Sequence, residues 1–215
     1  MRTLILLSVS ACFGQRLEIG AKVGVPVTEA FETDAFFQIG FGHGATSATR
    51  RYTVGPMVGI RLPRGFSVTL DLLYKRLGFD ELTKTSGVLL AHTRTVVNSW
   101  EFPVLGQFRV LHAPAVSPYV EAGVSFRSIS GIATITEQPL FFPGVPVTRS
   151  TGKSSTPLNN RSPHGIAVGL GAEIRVGFMR IAPGFRYTRW GVDRNIDSTL
   201  HSNQNQGEVL LGITF

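Results

Sequence analysis

Apolar and polar residues alternate with a period of two along most of the chain, which is typical of β-strands with one apolar face. In the last segment, GEVLLGITF, Val209, Leu211 and Ile213 fall on one face, and Glu208 and Thr214 fall on the other. The same alternation predicts eight strands, at residues 16–25, 51–62, 66–75, 97–110, 118–127, 165–176, 180–188 and 207–215. A tilted strand needs about 9 to 11 residues to cross a bilayer, and these segments, of 9 to 14 residues, have roughly that length.

The connections between the predicted strands alternate in length. Short turns near residues 63, 113 and 177 join strands two to three, four to five and six to seven, whereas long polar segments at 26–50, 77–95, 128–162 and 191–205 join the others. An even number of antiparallel strands with short turns at one end and long loops at the other is the layout of an outer-membrane barrel. We therefore expect an all-β fold, an eight-stranded antiparallel up-and-down transmembrane β-barrel with short periplasmic turns and long extracellular loops.

Aromatic residues on the apolar faces sort to the two ends of the predicted strands. Those at the loop ends are Tyr52, Tyr74, Trp100, Phe126 and Tyr187, and those at the turn ends are Phe66, Phe108 and Phe215. Two belts are expected on a surface that crosses a bilayer, because amphipathic aromatic rings prefer its interfaces. These eight residues form the predicted aromatic girdle.

The opposite faces of the strands carry charges of both signs. We predict that they form a charge network in the lumen, made of Glu18, Lys22, Arg51, Arg61, Asp71, Lys75, Glu101, Arg109, Glu121, Arg127, Glu173, Arg175, Arg186 and Glu208. Eight strands enclose a lumen that side chains can fill, so we expect an interior plugged by paired charges, with inward glycines such as Gly171 leaving room for them.

Pro56, Pro103 and Pro183 lie within predicted strands and each removes a ladder hydrogen bond, so we expect β-bulges there.

The N-terminal segment MRTLILLSVSACFGQ begins with a basic Arg2, continues with an apolar run and ends with small residues. This order predicts a secretory signal peptide over residues 1–14, followed by a barrel domain over residues 15–215. A first strand or an anchor helix is the alternative for this segment. A lipoprotein cleavage box ending at Cys12, the only cysteine of the chain, is a further one.

Composition agrees with an exported membrane protein. Charged residues make up 16% of the chain, below the quarter or so that is usual in soluble domains. Removal of the signal with Arg2 lowers the formal charge from +7 to +6, so the mature chain stays basic. A basic surface favours anionic partners, and export argues against nucleic acid as one of them.

Four segments resemble the outer membrane protein beta-barrel domain family, in the broad group with small OmpA/OmpX-like and PorT-like barrels: RLEIGAKVGVPV, WEFPVLGQFRV, PYVEAGVSFR and EVLLGITF. The resemblance spans residues 16–215 and implies an eight-stranded barrel in the outer membrane, but no particular activity. It also implies that the barrel-assembly machinery reads the terminal strand and its final Phe215 as an assembly signal. The alternative is that Phe215 only ends a strand.

No motif points clearly to a cofactor, a metal or a reaction. The segment GFGHGA at residues 40–45 fits a loose dinucleotide fingerprint, but no helix pattern follows it, so a loop is expected. The histidines lack metal-ligand spacing. Ser162, His164 and Glu173 are the best enzymatic set, because lipid A deacylases place such residues at the lip of a barrel. A distance of about 30 Å along the strand separates His164 from Glu173, which argues against a triad.

Cations of the predicted loops form a ring near the outer rim, made of Arg50, Arg76, Lys84, Arg94, Arg149, Lys153, Arg161, Arg189 and Arg194. This ring can pair with lipopolysaccharide phosphates, or it is simply a solvated surface.

Three functions stay open. The preferred one is a non-enzymatic outer-membrane barrel that contacts lipids and an envelope or external partner through its loops, chiefly 128–162. The others are a lipid-modifying barrel enzyme of the lipid A deacylase type and a soluble periplasmic lipocalin-like barrel with apolar residues inside.

Overall fold

A computed structural model of the chain describes residues 16–29, 31, 34–38, 41–85, 88–111, 113, 115–138, 148–152, 164–191, 195–197, 200–201 and 203–215. The predicted signal segment, with Cys12, lies outside the described residues. No helix in the described ranges has the length and the apolar character needed to cross a membrane.

Within the described ranges, the chain forms fourteen β-strands and one short 3₁₀ turn. The strands are β1 (Arg16–Pro26), β2 (Asp34–Gln38), β3 (Phe41–Ser47), β4 (Thr53–Arg61), β5 (Phe66–Asp71), β6 (Leu73–Thr85), β7 (Val88–Arg109), β8 (Val116–Gln138), β9 (Thr148–Gly152), β10 (His164–Val176), β11 (Met179–Trp190), β12 (Asn195–Asp197), β13 (Leu200–His201) and β14 (Asn205–Thr214). The 3₁₀ turn at Pro63–Gly65 joins β4 to β5.

Eight antiparallel strands close into a barrel, with β5 and β6 acting as one interrupted strand. The order around the barrel is β1, β4, β5 with β6, β7, β8, β10, β11 and β14. β14 returns to β1, where Ala21 lies opposite Ile213. On the other side of the barrel, β7 pairs with β8, where Val104 lies opposite Val124. The predicted all-β, eight-stranded antiparallel barrel is therefore confirmed.

The apolar faces of the strands point out of the barrel. Val54, Leu70 and Val124 are 42%, 50% and 45% exposed, whereas the inward Glu101 and Glu121 are buried. A continuous apolar belt of this kind fits acyl chains and not water. The lipocalin-like alternative is wrong, because it requires the apolar residues to lie inside.

Strands occupy much of the sequence that was expected to form loops. β6 and β7 continue as a hairpin through the predicted loop 77–95, and β8 runs into the predicted loop 128–162 as far as Gln138. β2 and β3 extend this sheet at the edge of β6, and β9 extends it at the edge of β8. Beyond the membrane the outer face of a strand meets water and not acyl chains, so the apolar alternation that marks the other strands is weak here.

The three prolines lie in the sheet without the bulges that were expected. The register is the same on both sides of Pro183, because Gly171 lies opposite Gly184 and Ile174 opposite Ile181. Pro103 stays opposite its partner in a continuous ladder with β8. At Pro56 the ladder hydrogen bond to the carbonyl is kept, because the backbone amide of Leu72 donates to the Pro56 carbonyl oxygen at 3.0 Å. The expectation of bulges is therefore wrong. Each proline removes one hydrogen-bond donor from the ladder, but no extra residue is inserted into its strand.

Candidate functional site

The middle of the lumen holds four buried charges. Arg186 on β11 donates from Nε to Oε1 of Glu121 on β8 at 3.0 Å, and from Nη2 to Oδ2 of Asp71 on β5 at 2.8 Å. The Nζ of Lys22 on β1 lies 2.8 Å from the same oxygen of Asp71. Arg186 and Asp71 are 1% and 0% exposed. These side chains connect four strands across the interior.

A second group lies nearer the loop end of the lumen. The Nζ of Lys75 lies 2.8 Å from Oε2 of Glu101, and Lys75 also pairs with Glu208. Arg127 donates from Nη2 to Oε1 of Glu101 at 2.6 Å. The Cζ of Arg127 also lies 3.9 Å from the centroid of the buried Trp190 ring, a cation–π contact. The group thus joins ionic and aromatic contacts across the barrel.

A third group lies at the turn end of the lumen. Arg61 pairs with Glu18 and donates from Nη2 to Oε1 of Glu173 at 2.5 Å. Arg180 donates from Nη1 to Glu18 at 2.6 Å, and its Nε lies 3.0 Å from Oε1 of Glu173. Arg109 donates from Nε to the other oxygen of Glu173, Oε2, at 3.0 Å. Two carboxylates therefore hold three guanidinium groups in the mouth of the barrel.

Two residues of the predicted lumen network lie elsewhere. Arg51 precedes β4 and is exposed, and it pairs with Glu29 outside the lumen. Arg175 is exposed at the turn end of β10 and makes no ion pair in the described part of the chain. Arg180 takes part in the network although the predicted set left it out. Its inward position follows from the alternation on its strand, which was the available signal.

The contact between Glu29 and Arg51 lies beyond the membrane-spanning strands. Burial by itself raises the pKa of the Glu29 carboxyl, but hydrogen bonds from Arg51 and Ser47, with the charge of Arg51, outweigh burial and hold that pKa below its usual range. Ser47 donates from Oγ to Oε2 of Glu29 at 2.9 Å. This carboxylate therefore ties the segment after β1 to β3 and to the start of β4.

Tyr119 fills a part of the lumen that the sequence reasoning did not assign. It is 8% exposed and lies beside Gly171 and Gly184 on the neighbouring strands. A Cβ at Gly171 would lie 2.6 Å from the Tyr119 ring carbon Cζ. The glycine therefore makes room for a large inward side chain, and the alternation that puts Tyr119 on the polar face was the signal for it.

An apolar cluster lies on the loop side of the lumen charges. Phe31, which precedes β2, packs edge-on against Phe79 with ring centroids 5.4 Å apart. Leu77, Val97 and Ile129 complete the cluster. The alternation of the sequence does not indicate this cluster, because Phe31 belongs to a segment without alternation and reaches the barrel only through the tertiary fold.

The aromatic residues lie at the two ends of the outer surface. The loop-end rings include Tyr74 and Trp100, with centroids 5.1 Å apart, and the turn-end rings include Phe66 and Phe108, 4.8 Å apart. The other residues of the predicted girdle, Tyr52, Phe126, Tyr187 and Phe215, also lie at least partly exposed on this outer surface. Phe178, in a turn, was not predicted, and its 81% exposed ring stacks against Phe215. The assembly-signal role of Phe215 stays a prediction.

A cleft of about 400 Å³ lies on the barrel beyond the loop-end girdle. It is lined by Ala48, Arg50, Arg76, Leu77, His92, Arg94, Val96, Ile135 and Glu137. In the described part of the chain Arg50 and Arg76 make no ion pair, and Arg94 Nε lies 3.8 Å from Asp80 Oδ1. Three members of the predicted cation ring thus meet at one cleft. The side chains of Arg149, Lys153, Arg161 and Arg194 lie outside the described residues.

The residues considered for catalysis and for cofactor binding do not come together. His164 begins β10 at the loop end, whereas Glu173 lies at the turn end of the same strand among three arginines. Ser162 and Gly40 lie outside the described residues, and residues 41–45 belong to β3. Within the described ranges, no three His, Cys, Asp or Glu residues are grouped in a way that could hold a metal ion.

Comparison with known protein families agrees with this architecture. The family model for the outer membrane protein beta-barrel domain matches residues 10–195. Among solved structures, Neisserial surface protein A is 16% identical, with 94% of this chain and 97% of that chain covered and a TM-score of 0.49. Ail, the attachment invasion locus protein of Yersinia pestis, is 13% identical, with 92% and 96% covered and a TM-score of 0.39. OprG from Pseudomonas aeruginosa is 12% identical, with 94% and 95% covered and a TM-score of 0.41. No curated protein sequence matches the chain.

Proposed function

This chain belongs to the outer membrane protein beta-barrel domain family, and we propose that in the outer membrane it serves as a plugged, non-enzymatic barrel that binds lipopolysaccharide at its outer rim. The resemblance read from the sequence is confirmed by the family match, which covers most of the chain. The family fixes the location and the fold. The plug, the absence of catalysis and the lipid partner are the parts that we infer.

The observation that carries the plugged lumen is the pairing of six inward carboxylates in the membrane-spanning strands. Glu18, Asp71, Glu101, Glu121, Glu173 and Glu208 each contact at least one of the cations Lys22, Arg61, Lys75, Arg109, Arg127, Arg180 and Arg186. Breaking a buried pair costs about 3–5 kcal/mol, so a water-filled path through several of them is unfavourable. The apolar cluster at Phe31 and Phe79 adds a second barrier.

Solute flux through the purified barrel tests the plug. Proteoliposomes with the wild-type protein are expected to show no swelling in arabinose and no discrete conductance in a planar bilayer. The double variant Arg127→Ala with Arg186→Ala removes cations from two levels of the lumen and should raise the flux. Its folding is checked by heat-modifiable migration on gels. Porin-like conductance of the wild-type protein would show that the plug is wrong.

The position of Glu173 supports a non-enzymatic role. Its carboxylate contacts Arg61, Arg109 and Arg180 at the turn end, whereas His164 lies at the loop end. A base and an acid at opposite ends of a strand cannot share a proton relay, since such partners must lie within hydrogen-bond reach. Mass spectrometry of lipid A from cells with and without the protein is the test. An unchanged profile is expected, and a lost acyl chain would establish the enzymatic alternative.

The cleft at Arg50, Arg76 and Arg94 is the feature that favours lipopolysaccharide as the partner. Tyr74 belongs to the girdle, and Arg76 is the next outward-facing position on the same strand, about 7 Å farther along it toward the loop end. Trp100 lies at the level of Tyr74 on the adjacent strand. The cleft therefore lies where lipid headgroups begin. Guanidinium groups bind phosphate through paired hydrogen bonds, and the phosphates of lipid A occupy this level.

Binding of lipid A to the refolded protein in detergent tests this partner. The double variant Arg76→Gln with Arg94→Gln is expected to weaken binding at least tenfold, because each arginine contributes a charge-assisted contact. Arg189→Gln is the matched control, since Arg189 is an exposed arginine at the loop end that does not line the cleft. Monophosphoryl lipid A should bind more weakly than the bisphosphoryl form. Equal losses in the double variant and the control would contradict a specific site.

A further inference from the structure

A second cleft opens at the turn end of the lumen, on the opposite side of the membrane from the loops. It encloses about 400 Å³ and is lined by Arg61, Arg109, Ala113, Ala115, Ser117, Glu173 and Arg175. Its walls come from the ends of β4, β7 and β10 and from the turn between β7 and β8. A cleft in this position is open to the periplasm, given the usual orientation of such barrels.

Positive charge is in excess around this cleft. The guanidinium groups of Arg61 and Arg180 are held by both Glu18 and Glu173. Arg109 shares Glu173 with them, and Arg175 is exposed and makes no ion pair in the described part of the chain. Four guanidinium groups therefore face two carboxylates. The cleft carries two positive charges that the described residues do not neutralise.

Arg109 gives an independent indication that an acceptor belongs in the cleft. Arg109 is 6% exposed, and its Nε donates to Oε2 of Glu173 at 3.0 Å. Its Nη2 is buried and has no hydrogen-bond acceptor in the structure. A buried donor on a charged group is costly to leave unpaired, and native proteins rarely do so. An anion in the cleft that Arg109 lines would supply the missing acceptor.

We propose that this cleft is an oxyanion-binding site that takes a phosphate group from the periplasmic side, held by Arg109 and Arg175. Inorganic phosphate or a phosphate monoester, of charge near −2, matches the excess of two positive charges, whereas a phosphodiester headgroup, of charge −1, offsets one of them. The oxygens of either group match the planar donor fork of a guanidinium group. The phosphate has two sources, a soluble phosphate ester in the periplasm or the headgroup of an inner-leaflet phospholipid. The site goes beyond the proposed function, because it lies at the other end of the barrel from the lipopolysaccharide cleft.

Arginine side-chain NMR on the refolded, ¹⁵N-labelled protein tests the site. In a nonionic, phosphate-free detergent, inorganic phosphate is expected to shift the Arg109 and Arg175 signals in a saturable manner. Arg175→Gln should raise the dissociation constant roughly tenfold, the effect of losing one strong charge-assisted contact. Arg64→Gln is the matched control, because Arg64 is an exposed arginine at the same end that does not line the cleft. Heat-modifiable migration confirms that each variant is folded.

The two sources are separated by a second arm in phosphatidylglycerol nanodiscs without added phosphate. If the Arg109 signal already occupies its shifted position there, the headgroup is the ligand. If it shifts only when phosphate is added, the ligand is a solute. The proposal is overturned if neither phosphate nor the lipid moves the Arg109 signal, or if Arg175→Gln binds phosphate as tightly as the control.

Discussion

Replacing Arg186 with methionine removes the cation at the centre of the lumen while keeping an unbranched side chain that reaches about as far as the arginine Nε. Arg186 is 1% exposed and contacts both Glu121 and Asp71. Asp71 keeps Lys22 as a partner after the change, but Glu121 loses its only ion-pair partner among the described residues. The consequence is one buried and uncompensated carboxylate at a defined place.

The expected loss follows from that geometry. Removing one partner of a buried pair destabilises a protein by about 3–5 kcal/mol, and Arg186→Met should fall in this range. Glu121→Gln should cost less, about 1.5–3 kcal/mol, because Arg186 keeps its contact with Asp71 and only one charged hydrogen bond is lost. The double variant is expected to be more stable than Arg186→Met alone, since the neutral amide no longer needs a cation.

Urea unfolding from phospholipid vesicles measures these free energies. The chain has two tryptophans, and the fluorescence of buried Trp190 should report the opening of the lumen. Leu211→Val, on the lipid-facing side, is a control for small changes of volume. If Arg186→Met unfolds at the same urea concentration as the wild-type protein, or if the double variant is no more stable than Arg186→Met, the charges do not interact as the structure indicates.

Two further predictions concern a lumen glycine and a carboxylate beyond the girdle. Gly171→Ala should destabilise the barrel by about 1–3 kcal/mol through a clash with Tyr119, whereas Gly212→Ala, also inward but with its nearest neighbour 3.5 Å from the added carbon, should be close to neutral in the same urea assay. Because the folded-state pKa of Glu29 is lowered, its contact with Arg51 contributes stability above the unfolded pKa of about 4.3 and loses it as the pH falls through the folded value. The protection factors of the amides in the segment after β1, which correct the exchange rate for the intrinsic effect of pH, should therefore fall at low pH. Glu29→Gln should remove that dependence, and an unchanged profile in this variant would contradict the assignment.

The membrane-spanning strands could be predicted from the sequence, because the relevant signal is local. Alternate residues of a strand point to opposite sides of the sheet. Because one side of this sheet faces acyl chains and the other faces an ionic interior, apolar and polar residues alternate with a period of two in each segment. The faces of Leu70 and Glu121 followed from this rule alone. The strands beyond the membrane could not be recognised in the same way, because no face of the hairpin of β6 and β7 meets acyl chains there and its inner face is only partly covered, by the cluster around Leu77 and Phe79.

The identity of the ion pairs was decided by the tertiary structure. The sequence placed Glu18 and Arg186 on inward faces, but nothing local shows that Glu18 meets Arg180, 162 positions away, or that Arg51 lies outside the lumen. The tilt of the strands and the stagger between neighbours set which side chains share a level, and these quantities belong to the closed barrel as a whole. The sequence by itself therefore determined which residues face inward within the membrane-spanning strands, and closure of the sheet determined which of them touch and where, as at Arg51, the inward face ends.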